Sequence, residues 1–125
     1  MRLNQVTVPS KNVKQSIVFY TTLGLQLIVD ASPKYARFAL PEGDSTFSIH
    51  AVKDIPEESK TSIYFENENL DALVDALQEK GMQFTMFPTD QPWLWREARL
   101  LDPDGNKLIL YTAGKNRKNP PWRIN

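Results

Sequence analysis

The chain contains no cysteine, so disulfides, thiolate nucleophiles and cysteine-ligated metals are excluded. Histidine is nearly absent too: His50 is the only one. There is no excess of either charge, 15 basic residues standing against 15 acidic ones. A domain whose main partner is a nucleic acid usually shows a net basic charge and a basic stripe. Here the only concentrated positive stretch is Lys115, Arg117, Lys118 and Arg123, which reads as a solvated tail. No apolar run approaches the roughly 20 residues that a membrane span needs. Met1-Arg2-Leu3-Asn4 does not open a secretory signal, so the expected location is the cytoplasm. What remains is 125 residues, 41% hydrophobic and 24% charged, the make-up of one globular domain.

What the chain does have is a repeat. Val6, Val8, Val13, Ile17, Tyr20 and Gly24 are answered 57 residues later by Ile63, Phe65, Leu70, Val74, Leu77 and Gly81. Residues Ala36 to Gly43 are answered 62 residues later by Ala98 to Gly105. Two offsets mean one module written twice, with extra residues around Pro88 to Trp95 in the second copy. The expected modules span residues 1–55 and 60–113 of a single 1–125 domain, with a tail at 114–125.

Each module reads as βαβββ. The first opens with a strand over Leu3–Val8, which Pro9 and Ser10 end, before a helix capped by Ser10 or Asn12. Val13, Ile17 and Tyr20 form that helix's buried stripe, and Gly24 stops it. Strands are expected over Leu25–Val29, Tyr35–Leu40 and Thr46–Ala51, then a polar linker over Asp54–Ser59. The second module offers strands at Thr61–Phe65, Met82–Phe87, Arg96–Leu101 and Lys107–Tyr111. Its helix is capped by Asn67 or Asn69 and buries Leu70, Leu73, Val74 and Leu77. Pro120-Pro121 argues against regular structure from Thr112 onward. Trp122 is costly to leave in water and is expected to dock on the fold.

Strand alternation sorts these residues into two faces. One face is apolar throughout, from Val6, Val8, Ala36 and Phe38 to Leu108 and Leu110, and is expected under the helices. The other collects Gln5, Tyr35, Arg37, Ser48, His50, Ser62, Tyr64, Glu97, Arg99, Ile109 and Tyr111. Aromatic rings mixed with a histidine, two arginines and a carboxylate are typical of ligand pockets. An open face covered by water or by a second subunit is the plainer alternative.

Phe19-Tyr20 followed by Leu23-Gly24-Leu25, and the turn Asp102-Pro103-Asp104-Gly105-Asn106, resemble two signatures of the vicinal oxygen chelate superfamily. That superfamily includes glyoxalase I, extradiol dioxygenases and the bleomycin-resistance proteins. The resemblance covers about Arg2 to Ala113. Trp93 to Arg99 and the tail Asn116 to Ile124 are similar to an uncharacterised glyoxalase-like subgroup. The resemblance implies an α+β fold of two tandem βαβββ modules, forming a curved mixed sheet around a cavity with helices on the outer face. It also implies a homodimer, and leaves open whether modules pair within one chain or across two.

Enzymes of that superfamily hold a divalent metal at four positions, which fall here on Gln5, Ser48, Ser62 and Ile109. Only Gln5 is a plausible ligand, so neither a metal nor another cofactor is expected. As the sole histidine, His50 is the candidate for proton transfer near neutral pH, with Glu97 as the second candidate. Ligand-binding candidates are Gln5, Tyr35, Arg37, Ser48, Tyr64, Trp95, Arg99 and Tyr111. A free arginine selects an anionic or zwitterionic small molecule, unless Glu97 neutralises it. The leading expectation is a metal-free small-molecule binding protein. The alternative is a lyase, isomerase or transferase using His50 or Glu97 for proton transfer, with or without a divalent metal on Gln5, His50 and Glu97. A third possibility is a partner-binding domain whose polar sheet face is buried against another chain.

Overall fold

The computed structural model describes residues 1–55 and 60–125, and the chain folds as two compact units. In order, the elements are β1 (Gln5–Ser10), α1 (Val13–Leu23), β2 (Gln26–Ala31), β3 (Tyr35–Ala39), β4 (Thr46–Ala51), β5 (Ser62–Glu66), α2 (Leu70–Glu79), β6 (Met86–Asp90), β7 (Arg96–Leu101) and β8 (Lys107–Thr112). The first unit holds β1–β4, α1 and, from far along the chain, the turn Asp102–Asn106. The second holds Lys60–Leu101 and Lys107–Asn125. The linker expected over Asp54–Ser59 falls largely outside the described residues. Among the described residues no helix is long and apolar enough to cross a membrane.

Each unit is a four-stranded mixed sheet with one helix on its apolar face, so the fold is α+β. The strand orders are β1-β4-β3-β2 and β5-β8-β7-β6, the same topology twice. In each, the first strand pairs parallel with the last, and the remaining pairs are antiparallel. The expected apolar face packs beneath the helices. Ala36, Phe38, Phe47 and Ile49 are buried in the first unit, and Ala98, Leu100, Leu108 and Leu110 in the second.

Several strand ends differ from the expectation. β1 runs through Pro9 and Ser10 instead of stopping before them. An edge strand tolerates a residue without an N–H, and β1 lies at the sheet edge. Pro88 sits on the other kind of edge, β6. That strand starts at Met86 rather than Met82, because Met82 N–H still closes the helix end on the Leu77 carbonyl at 3.0 Å.

The helices follow their caps. Asn12 accepts from the Gln15 N–H at 3.1 Å, and Gly24 leaves α1 with φ of 118°, a conformation that a β-carbon would strain. Ser10 does not cap; its hydroxyl accepts from Asn12 N–H and bonds the Ser16 hydroxyl. Ser16 is therefore fully buried on α1, whereas the expected stripe residue Ile17 is only half-buried. At α2, Asn69 is the cap residue but its side chain makes no cap bond, while Asn67 accepts from the Asn69 N–H.

Two expectations about the tail are corrected. Gly114–Arg117 forms a short 3-10 helix, since Pro120 and Pro121 lie beyond it and obstruct nothing upstream. Trp122 does not dock: it is 57% exposed.

The turn Asp102–Asn106 is built as a polar knot in the first unit. The Asp102 carboxylate accepts from Tyr20 Oη at 2.5 Å, from Asn106 Nδ2 at 2.7 Å, and from the Asp104 and Asn106 N–H groups at 2.9 Å each. Asn106 Nδ2 also reaches the Pro9 carbonyl at 3.1 Å. Asp104 accepts from the Lys11 N–H and from the Ser16 hydroxyl. Burial of Tyr20 first, then the Asp102 charge, raises its phenol far above the ordinary range, so it stays a donor.

Candidate functional site

In the first sheet, register decides which side chains meet. Arg37 lies opposite Ser48, and Tyr35 opposite His50, on adjacent strands. Thr7 and Pro9 flank Ser48 and His50 on the other side. Tyr35, Arg37, Ser48 and His50 therefore form a square on the open face. Tyr35 Oη and Ser48 Oγ are 2.7 Å apart, and Arg37 Nε donates to Tyr35 Oη at 2.8 Å. The Arg37 guanidinium carbon lies 5.4 Å from the Tyr35 ring centre. Desolvation opposes ionisation of the Tyr35 phenol, but the bonds to Ser48 and Arg37 and the guanidinium charge outweigh it, holding its pKa below the ordinary value.

Only one nitrogen of Arg37 is thereby used. Among the described residues no carboxylate pairs with it, so its outer fork remains available. His50 is exposed and its imidazole has no hydrogen-bond partner among the described residues. Gln5 sits one pair along β1 and accepts from the Thr46 hydroxyl at 2.7 Å.

The second sheet uses its polar face differently. Trp95 stacks on Tyr111 with ring centres 4.6 Å apart, and Tyr64 meets both rings edge-on at 5.8 and 5.6 Å. Tyr64 is 48% exposed, while Tyr111 is buried. Burial, and then the neighbouring Glu66 carboxylate, pushes the Tyr111 phenol up despite the opposing charge of Arg117. Glu97 is 1% exposed and both its oxygens are committed. Oε1 accepts from Arg99 Nη2 at 3.0 Å and Oε2 from Trp93 Nε1 at 2.7 Å.

The candidates thus fall into two clusters. Gln5, Tyr35, Arg37, Ser48 and His50 belong to the first unit; Tyr64, Trp95, Glu97, Arg99 and Tyr111 belong to the second. Trp93 is the residue that sequence reasoning missed. The turn Gln91–Trp95, closed by Gln91 N–H on the Trp95 carbonyl at 2.7 Å, breaks strand alternation, so parity gave no signal for it. Trp95 is further fixed by its indole N–H on the Asn116 carbonyl at 3.2 Å.

The four superfamily metal positions do not suit a divalent ion. Gln5 is already an acceptor for Thr46, the buried Ser48 hydroxyl is shared with Tyr35, Ser62 offers a neutral hydroxyl, and the buried Ile109 has no donor atom. Such ions take imidazole or carboxylate at these positions. Among the described residues no three histidine, aspartate or glutamate side chains gather as a metal group.

Two mixed β-sheets of identical topology, each backed by one helix, define the duplicated βαβββ class of α+β proteins. The family model for the glyoxalase/bleomycin resistance protein/dioxygenase superfamily matches residues 2–110, and the chain belongs to that superfamily. An uncharacterised protein, YraH of Bacillus subtilis, is 28% identical over 127 residues, covering 89% of this chain and 98% of its own. A glyoxalase/bleomycin resistance protein/dioxygenase from Nocardioides shares the fold with a TM-score of 0.76 at 20% identity, over 100% of this chain and 90% of the other. A bleomycin-binding protein solved with bleomycin has a TM-score of 0.73 at 22% identity, over 90% and 98% of the two chains.

Proposed function

We propose that the protein binds a small anionic or zwitterionic organic molecule on its open sheet faces, without the superfamily's metal. The observation that carries this reading is the pair of repeat-related arginines. Arg99 has its charge neutralised by Glu97, whereas Arg37 presents an unpaired guanidinium fork beside a phenol and a hydroxyl. A planar fork of this kind suits a carboxylate or phosphate. A structural neighbour solved with bleomycin supports small-molecule binding by this fold, although a mixed face with an unpaired arginine, rather than an acidic one, favours a different ligand class here. We place the protein in the cytoplasm as a homodimer.

The test is a thermal-shift screen of small carboxylates and amino acids, read on wild type and on Arg37→Gln. A ligand at 100 times its Kd adds about 2.7 kcal/mol of stability, well within reach of such a screen. Arg37→Gln is expected to remove the shift. A ligand that stabilises both forms equally removes Arg37 from the site.

A second reading has one observation in its favour: His50 stands directly across from Tyr35, whose phenol is easier to ionise than usual. In that reading His50 transfers a proton on a ligand held by Arg37, and the protein is a lyase, isomerase or transferase. Glu97, buried and doubly bonded, then acts as a positioning group for Arg99 and Trp93.

A further inference from the structure

We propose that the second unit carries a separate binding site for a tetrahedral oxyanion, either phosphate or sulfate, in the open depression where Ser62, Tyr64, Thr85, Arg99 and Lys107 meet. The depression measures about 420 Å³ and no carboxylate lines it. Register explains its composition. Ser62 pairs with Lys107 across β5 and β8, and Tyr64 and Arg99 both pair with Ile109, which shares the parity of Lys107. Thr85 is brought in by its N–H on the Arg99 carbonyl at 2.8 Å.

Charge favours an anion there. Arg99 is cancelled by Glu97, but Lys107 has no acidic partner among the described residues, so the depression keeps one net positive charge. Arg99 Nε–H is buried and makes no hydrogen bond. With its side chain 42% exposed and Nε without an acceptor, Arg99 can turn toward an oxyanion in this depression, which supplies the missing partner.

The donor set also selects shape. A lysine is a compact point charge, and the three hydroxyls come from two separate segments, β5 and the residues before β6. That arrangement suits four oxygens in a tetrahedron better than a flat carboxylate. Ile109, whose side chain shares the face of Arg99 and Lys107, supplies an apolar floor, which weakens competition from water. The volume leaves room beyond a bare ion, and the half-exposed Tyr64 ring adjoins it, so the anion can be free or part of a small aryl ester.

Every residue lining this site belongs to the second unit, and the experiment separates it from the one at Arg37. Backbone amide resonances are followed while the full chain is titrated with sodium phosphate, chloride holding the ionic strength constant. Saturable shifts are expected at Ser62, Thr85, Arg99 and Lys107. Lys107→Gln is expected to weaken phosphate binding about tenfold or more, and Thr85→Val by a smaller factor. Arg37→Gln is expected to leave these shifts unchanged even if it abolishes binding in the first unit. Phenyl phosphate binding more tightly than phosphate identifies an ester as the preferred form; equal affinity identifies the free ion. Shifts that are absent, do not saturate, or survive both Lys107→Gln and Thr85→Val in well-dispersed spectra overturn the proposal.

Discussion

Arg37 and Arg99 occupy the same position of the same module, yet their surroundings are opposed. Arg37 leans on a phenol and keeps its charge open, while Arg99 is tied to a buried glutamate. Tyr35, the repeat mate of Glu97, makes this difference: one module places a phenol two residues before its arginine and the other a carboxylate. A duplicated scaffold thus gives one sheet an available cation and the other an internal ion pair. The phenols diverge in parallel, Tyr35 shifting down beside its cation and Tyr111 up in its burial.

The largest way to break this comparison is to remove the buried carboxylate. Glu97→Ala leaves Trp93 Nε1 and Arg99 Nη2 without their acceptor and opens a void in a fully buried place. Two bonds to a charged group are lost, so the expected cost is about 3 kcal/mol, discounted because Arg99 and Trp93 can reach water. Urea unfolding at neutral pH reads it as a lowered midpoint. Arg37→Gln, which breaks no ion pair, is expected to cost less than about 1 kcal/mol in the same assay. Equal losses at the two positions would show that the pairing of Glu97 with Arg99 contributes nothing special.

Much of this asymmetry was out of reach of the sequence, although the scaffold was not. The twofold repeat, Gly24 and strand parity led to both sheets and to the correct buried face, because burial enforces alternation whatever the partners. Parity also put Tyr35, Arg37, Ser48 and His50 on one surface. It left open which arginine Glu97 would hold, since both share a face and only distances decide. The knot around Asp102 was hidden for a similar reason. Its partner Tyr20 lies 82 residues away, and the repeat-related turn at Pro41–Asp44 is exposed and offers no such network. Trp93 was obscured by the inserted turn, where the period-2 pattern is interrupted, and the start of β6 by a helix end that still holds Met82. The dangling Trp122 shows the limit of arguing from hydrophobicity alone: a single exposed aromatic ring is tolerated.

A gentler way to sharpen the comparison is to titrate the tyrosines. Tyr35 is expected to ionise before an ordinary tyrosine and Tyr111 after one, followed by phenolate absorbance in Tyr35→Phe and Tyr111→Phe. Arg37→Gln removes a hydrogen bond and a charge that favour the Tyr35 phenolate, so it moves that transition back up. The linkage sign follows. A phenol whose folded pKa lies below its unfolded value near 10 adds stability only as pH rises past the folded pKa, in full above the unfolded one, and none at neutral pH. Wild type therefore gains on Tyr35→Phe under alkaline conditions. For Tyr111 the sign reverses: its stabilising contribution is present below pH 10 and is lost as pH rises through the folded pKa. Two tyrosines titrating together would erase the distinction between the sheets.

The smallest structural effect is expected at the residue that the second reading makes the proton-transfer group. His50 is exposed, has no hydrogen-bond partner among the described residues, and lies opposite Tyr35 on β3. His50→Ala is therefore expected to change stability by no more than about 0.5 kcal/mol. This makes the variant a clean discriminator, because any loss it causes cannot be blamed on the fold. Once a ligand is found by thermal shift, its affinity for His50→Ala and its chemical fate in the presence of wild type are measured together. A ligand recovered unchanged, and bound by His50→Ala within a few-fold of wild type, supports the binding protein, with Arg37 as its anchor. A ligand that wild type converts and His50→Ala only binds makes the imidazole the proton-transfer group, with Arg37 holding the substrate beside it.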